Sequence, residues 1–183
     1  MSRIRITGGQ WRSRLIEVVD APGLRPTPDR VRENLFNWLG QNLSGLSCLD
    51  LFAGSGILGL EAASRGASPV TFVERERKAF NTLRKHLALF EDPRASVGEI
   101  PQLEACCADA LHFAPREPVD LLFLDPPYRL GLLEQIAPRL QLLVKPDARL
   151  YVEAEYELQS LGTWRVIKHG HAGQVFYHLL ESP

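Results

Sequence analysis

Apolar and polar residues alternate through "RIRITGGQWRSRLIEVV" (residues 3–19), with Gly8-Gly9 between the two runs. Period-two alternation predicts strands, and paired glycines reach the positive φ that tight hairpin turns demand, so a β-hairpin with outward arginines is expected. The Pro-rich connector "DAPGLRPTPDR" follows, then a helix through "DRVRENLFNWLGQNL". Thr27 is placed to cap that helix, Pro28 suits its first position, and Val31, Leu35, Leu39 and Leu43 recur on one face. From Ser47 the period changes. "SCLDLF", "PVTFVE", "LEACCAD", "VDLLFLD" and "ARLYVEAE" read as strands, and "ILGLEAASRG", "ERKAFNTLRKHLALF" and "LLEQIAPRLQLL" as helices between them. Continuous apolar strands with amphipathic helices predict a mostly parallel sheet covered on both faces, a Rossmann-like α/β architecture. "TWRVIKHG" and "QVFYHLL", joined by a short Gly-containing link, predict an antiparallel C-terminal hairpin at the sheet edge. The chain thus divides into an N-terminal hairpin-and-helix extension, residues 1–45, and an α/β domain, residues 46–183.

Composition narrows the class. At 183 residues, 45% hydrophobic and 23% charged, the chain fits one globular unit. No apolar stretch approaches the roughly 20 residues that span a bilayer. Arginines near the start lack the apolar run of a signal peptide, so a cytoplasmic protein is expected. Cys48, Cys106 and Cys107 fit neither a disulfide framework nor a zinc pattern, and "HGH" lacks a second ligand pair, so no metal is expected. The net charge of −1 cannot hold a polyanion by itself. Nucleic-acid binding must therefore be local, and the N-terminal segment, with Arg3, Arg5, Arg12, Arg14, Arg25, Arg30 and Arg32, is the local candidate.

"LDLFAGSGILGLEA" sets Gly54, Gly56 and Gly59 in GxGxxG spacing between a predicted strand and helix. Glycines there allow a tight turn and a close approach of backbone to ligand. Glu74 ends the next strand 20 positions after Gly54, where a carboxylate accepts both hydroxyls of a ribose. NAD and S-adenosylmethionine both carry a free ribose diol. Asp50, just before the glycines, suits the ammonium of a methionine moiety and opposes a pyrophosphate, which favours S-adenosylmethionine. Asp109, after the third strand, is placed either to bond an adenine amino group or to cap a helix.

The stretch "LFLDPPY" ends a strand with Asp125, Pro126, Pro127 and Tyr128. An exocyclic amine on a nucleobase is a poor nucleophile because its lone pair is delocalised into the ring. A carboxylate and a fixed carbonyl accepting its two hydrogens localise that lone pair; Asp125 offers the first and Pro126, with its locked φ, the second. Tyr128 is placed to stack on an extruded base. A strand-ending turn is the plainer reading of the same residues.

The order "DLFAGSG", "VE", "AD", "LDPPY" resembles the class I S-adenosylmethionine-dependent methyltransferases that modify exocyclic amines. "ITGGQWRSR", "GLRPTPDRVRENLFNWL" and "GHAGQVFYHL" resemble more narrowly the bacterial 16S ribosomal RNA guanine-N2 methyltransferase family, over nearly the whole chain. The resemblance implies a class I methyltransferase fold in which Gly54, Ser55, Gly56 and Glu74 hold the cofactor with Asp109 near its adenine. It implies that Asp125, Pro126 and Tyr128 receive the guanine, and that Thr27 with its arginine neighbours belongs to a segment closing over the cofactor. Arg5, Arg12, Arg14, Arg25 and Arg30 would contact 16S rRNA within the small subunit, the enzyme being a monomer. "FEDPRASVGEIPQ" is longer than the family pattern, which leaves the rim of the base pocket open. An NAD-dependent dehydrogenase leaves Asp-Pro-Pro-Tyr without a role; a DNA or RNA adenine-N6 or cytosine-N4 methyltransferase keeps it; a non-catalytic RNA-binding module uses only the arginines.

Overall fold

The computed structural model describes residues 2–18 and 27–182. β1 (Ser2–Arg5) and β2 (Leu15–Val18) form an antiparallel ribbon with Arg5 opposite Leu15. The hairpin is as expected, but its turn is not at Gly8-Gly9. The connection runs from Ile6 to Arg14, and the glycines are needed for close approach instead. Gly9 has φ +76°, and a Cβ there would lie 2.0 Å from the Ser64 carbonyl oxygen.

Helix α1 (Asp29–Leu39) ends at Gly40, before the Leu43 that the periodicity included. Beyond it stands one eight-stranded sheet, built from β3 (Cys48–Asp50), β4 (Val70–Val73), β5 (Leu103–Cys106), β6 (Val119–Leu124), β7 (Val144–Ala154), β8 (Ser160–Leu161), β9 (Trp164–Ala172) and β10 (Val175–Glu181). Its order is β5-β4-β3-β6-β7-β10-β9-β8; β3 to β7 are parallel neighbours and β10 runs antiparallel between β7 and β9. The chain moves outward from β3 through β5, then returns to the other side of β3 with β6. That reversal opens a crevice beyond the carboxyl ends of β3 and β6, the place where open α/β sheets bind ligands.

Helices α2 (Ile57–Ser64) and α3 (Arg77–Phe90) connect these strands. All eight residues of α2 are buried, as a helix apolar on every side must be. One side packs on the sheet, and the N-terminal ribbon covers the other. Ile6, Trp11 and Ile16 share a core with Val31, Leu35 and Phe36 of α1 and with Leu58, Leu60 and Ala63 of α2, a core that runs across residue 45. The expected helix over "LLEQIAPRLQLL" is interrupted at Pro138, which lacks the donor an unbroken helix requires. It becomes α4 (Leu132–Ile136), a 3-10 turn and α5 (Leu140–Leu143).

The one buried acid on α2, Glu61, has its charge matched by two guanidiniums and accepts from a backbone amide as well. Its carboxylate is bonded by the buried guanidiniums of Arg32 on α1 and Arg65, and accepts from the Thr7 amide at 2.8 Å. Hairpin, α1 and α2 are thereby locked to one another by a charge-assisted network, in which, among the described residues, Glu61 is the one carboxylate partner of the buried Arg65 and Asp29 is a second one for Arg32.

Candidate active site

Strand register decides which side chains converge. Asp50 pairs with Phe123, and Phe123 with Tyr151, across β3, β6 and β7. Positions two apart on a strand share a face, so Asp50, Asp125 and Glu153 all project to the same side of the sheet at its carboxyl edge. No cation among the described residues forms an ion pair with Asp50 or Asp125. Burial pushes the Asp50 carboxyl up to about 7; the Gly59 amide, donating to it at 3.1 Å, opposes that shift, and Glu74 and Glu153 add to it. Asp125 is raised well above the ordinary carboxylate range, first by burial and then by Glu153 and Asp50. Unpaired carboxylates gathered in this way favour a ligand that carries positive charge.

The glycine loop closes one side of the crevice. Gly54 (φ +52°) and Gly56 (φ +82°) both need the left-handed region, but their surroundings differ. A Cβ at Gly54 would meet open space, whereas one at Gly56 would lie 2.4 Å from Leu83 and one at Gly59 2.3 Å from the Phe72 ring. The first glycine leaves backbone exposed to the crevice; the other two let α2 pack against β4 and α3. Ser55 sits between them with its carbonyl 3.2 Å from His86 Nδ1. Glu74 accepts from the Gly54 amide at 2.9 Å and from the Glu76 amide at 2.7 Å. Its oxygens keep lone pairs for two hydroxyls, so the loop and this acid fit a ribose diol. Asp109 follows β5 and accepts from the Leu111 amide at 2.9 Å within a turn; no described helix lies between β5 and β6, so it does not cap one as its sequence position also allowed.

The Asp-Pro-Pro-Tyr turn leaves β6 on the opposite side of the crevice. Pro126 is buried, while Tyr128 is 37% exposed. The next residue, Arg129, has φ +63°, and its amide donates to Glu155 Oε2 at 2.9 Å, which ties the turn to the end of β7.

Thr27 differs from its expected role as helix cap. Pro28 occupies the cap position with no side-chain bond, and the Thr27 hydroxyl instead donates to Glu153 Oε1 at 2.7 Å. Glu153 also accepts from the Tyr151 hydroxyl at 2.8 Å, and burial raises its carboxyl. Sequence reading missed Glu153. Its signal was an acid near the end of the apolar run "RLYVEAE", the same signal that exposed Asp125.

The predicted RNA-contacting arginines separate. Arg12 and Arg14 are exposed on the hairpin connection and Arg30 on the first turn of α1. Arg5 is half engaged, with Nε 2.6 Å from Asp29 Oδ2, and Arg25 lies outside the described residues. No group of three His, Cys, Asp or Glu among the described residues could hold a metal ion.

Residues 4–181 match the family described as "Conserved hypothetical protein 95". The chain is 43% identical to ribosomal RNA small subunit methyltransferase D of Escherichia coli strain K12 over 98% of its length and 90% of that protein. It is 39% identical to the Haemophilus influenzae protein of the same name, over 98% of this chain and 94% of the other. The chain belongs to the ribosomal RNA small subunit methyltransferase D family. The solved structure of Escherichia coli YhhF matches with a TM-score of 0.83 at 40% identity, covering 100% of both chains. The methyltransferase D assignment agrees with the resemblance carried by "RPTPDRVRE" and "LDPPY". At 16% identity, an RNA methyltransferase from Salinibacter ruber, solved with S-adenosyl-L-homocysteine, shares the fold with a TM-score of 0.63 over 86% of this chain and 94% of that one. The fold is thus the class I methyltransferase architecture, with the N-terminal hairpin as an addition.

Proposed function

We propose that this chain transfers the methyl group of S-adenosylmethionine to the exocyclic N2 amine of a guanine in 16S rRNA of the small ribosomal subunit. One observation carries the reading: unpaired Asp50 and Asp125 face the same crevice, one beside a ribose-compatible glycine loop, the other heading Asp-Pro-Pro-Tyr. When bound, S-adenosylmethionine supplies an electrophilic methyl on a sulfonium that needs no further activation. Glu74 accepts the ribose hydroxyls, Asp50 holds the ammonium, and Asp109 bonds the adenine amino group. Gly54 and Ser55 offer backbone to the ligand, while Gly56 sets the helix behind it. Thr27, held by Glu153, closes the site from the α1 side.

Opposite, Asp125 and the Pro126 carbonyl accept the two amine hydrogens and aim the lone pair. Positioning of this kind is worth roughly 7 to 11 kcal/mol. Asp125, with its raised carboxyl, is also suited to take the proton released on transfer. Tyr128 stacks on the extruded base, a contact worth about 1 to 3 kcal/mol. Arg5, Arg12, Arg14 and Arg30 hold phosphates and set the register of the RNA without reading its sequence. The enzyme acts as a monomer in the cytoplasm; no described helix is long and apolar enough to cross a membrane.

The test is transfer of labelled methyl from S-adenosylmethionine to small subunits prepared from cells lacking this activity, followed by nucleoside analysis. Label in N2-methylguanosine is the expected result. Label in a methylated adenine or cytosine keeps the chemistry and refutes the guanine assignment, and an unlabelled product refutes the function.

A further inference from the structure

We infer that the exposed face of α3 is a second contact for ribosomal RNA, a phosphate-binding track that continues the arginine-bearing hairpin along the flank of the molecule. The inference rests on the rRNA substrate proposed above. Arg77, Lys78, Arg84 and Lys85 are exposed on α3, and residues 77–90 contain no Asp or Glu. Residues seven apart return to nearly the same helical face. Arg77 and Arg84 therefore form one row and Lys78 and Lys85 a second beside it, the two members of each row set about 10.5 Å apart along the helix axis. Leu83, Leu87 and Phe90 bury the opposite face, which turns both rows to solvent.

The track joins the site at one end and the hairpin at the other. α3 begins just after Glu74, at the carboxyl edge of the sheet. At its far end Phe90 packs on Trp11 with ring centroids 4.5 Å apart, and the Arg14 guanidinium carbon lies 5.4 Å from the centre of the same Phe90 ring.

Two features distinguish this face from an ordinary solvated one. Elsewhere exposed cations have partners: Arg94 pairs with Asp92, Lys145 with Asp120, and Arg149 and Arg165 with Glu181. Outside the N-terminal segment and residues 75–85, Lys168 is the cation among the described residues with neither a carboxylate nor a carbonyl partner. The second feature is position. Arg77 and Lys78 occupy the first turn of α3, where the helix dipole disfavours cations, and that turn contains no acid. The acids at the helix ends are otherwise placed: Glu76 caps the Ala79 amide, Asp92 holds Arg94, and Glu91 stands at the carboxyl end. Two rows of cations suit the phosphates of an A-form RNA helix, whose recognition is by backbone and shape.

The test uses the full chain carrying Arg84→Gln and Lys85→Gln together, two exposed residues placed in neither the cofactor site nor the catalytic turn; their buried neighbours Leu83 and His86, which contact the glycine loop, are left intact. KM for small subunits is measured across a range of salt concentrations, with kcat and S-adenosylmethionine affinity alongside. The expected result is an unchanged kcat and cofactor affinity and a KM several-fold higher at low salt. The slope of log KM against log salt falls by about 1.4 to 1.8, at about 0.7 to 0.9 per phosphate contact removed. An unchanged KM and slope overturn the inference. So does weakened binding to subunits with unaltered binding to protein-free 16S rRNA, which would give the face to a ribosomal protein. A wild-type enzyme that methylates no rRNA overturns the proposed function instead, and the salt dependence of subunit binding by wild type and variant then decides the role of α3.

Discussion

Replacing Asp50 by asparagine removes a charge and leaves the shape, since the amide oxygen can still accept from Gly59. The folded protein raises this carboxyl to about 7 by burial, against a value of roughly 3.9 in an unfolded chain. The folded state therefore binds the proton more tightly. Its stability contribution is complete below about pH 4 and is lost as pH rises to about 7. Three pH units at about 1.4 kcal/mol each give a loss of about 4 kcal/mol. Asp50→Asn cannot lose that proton. Its advantage over wild type is expected near zero at about pH 4, growing by about 1.4 kcal/mol per unit and level above about pH 7. Urea unfolding of both proteins, without cofactor, across this range measures it. The same variant binds S-adenosylmethionine about ten- to a hundredfold more weakly by calorimetry, the worth of one charge-assisted bond. A difference independent of pH, or a variant less stable than wild type at pH 8, would refute the reasoning, because a neighbour would then be compensating the charge.

Asp125→Ala is expected to abolish methyl transfer while keeping cofactor affinity; retained turnover removes Asp125 from the mechanism. Because Asp125 must be ionised to accept the amine, kcat should fall as pH drops through a value well above the ordinary carboxylate range, and Glu153→Gln should move that limb to lower pH. An acid limb that Glu153→Gln leaves in place contradicts the coupling. Glu61→Gln leaves the buried Arg65 without a carboxylate among the described residues and Arg32 with Asp29 alone, and should lower unfolding free energy by about 3 to 5 kcal/mol. Gly9→Ala should cost about 2 kcal/mol or more, whereas Gly40→Ala, with φ +96° but open space around it, should lose less; equal losses in thermal melts would show that the clash with Ser64 is unimportant.

The glycine loop, Glu74 and Asp-Pro-Pro-Tyr were legible in the sequence because each is a local pattern at a strand end, and alternation of strands with helices implied the sheet that aligns them. What escaped depended on distant partners. Thr27 carries every local mark of a helix cap, yet a bond to Glu153 on β7 takes its hydroxyl. Gly8-Gly9 reads as a hairpin turn, yet the backbone of Ser64 is what demands glycine. Glu153 itself sits in a continuously buried stretch of β7, and only the register across β3, β6 and β7 shows that its face is the one shared by Asp50 and Asp125. Pro138 was readable as a helix breaker, and the apolar run around it concealed the break.

The covering of α2 by the N-terminal ribbon also bears on how the chain is made. Ile6, Trp11 and Ile16 leave the ribosome well before Leu58, Leu60 and Ala63, the residues they are to cover. At about 5 to 20 residues per second, the ribbon waits some seconds with its apolar side unshielded. A shortened chain lacking it would leave α2, apolar on both sides, half uncovered. Trimming the N-terminus to measure its share of RNA affinity would therefore report aggregation first, and point substitutions at exposed arginines are the way to separate binding from biogenesis.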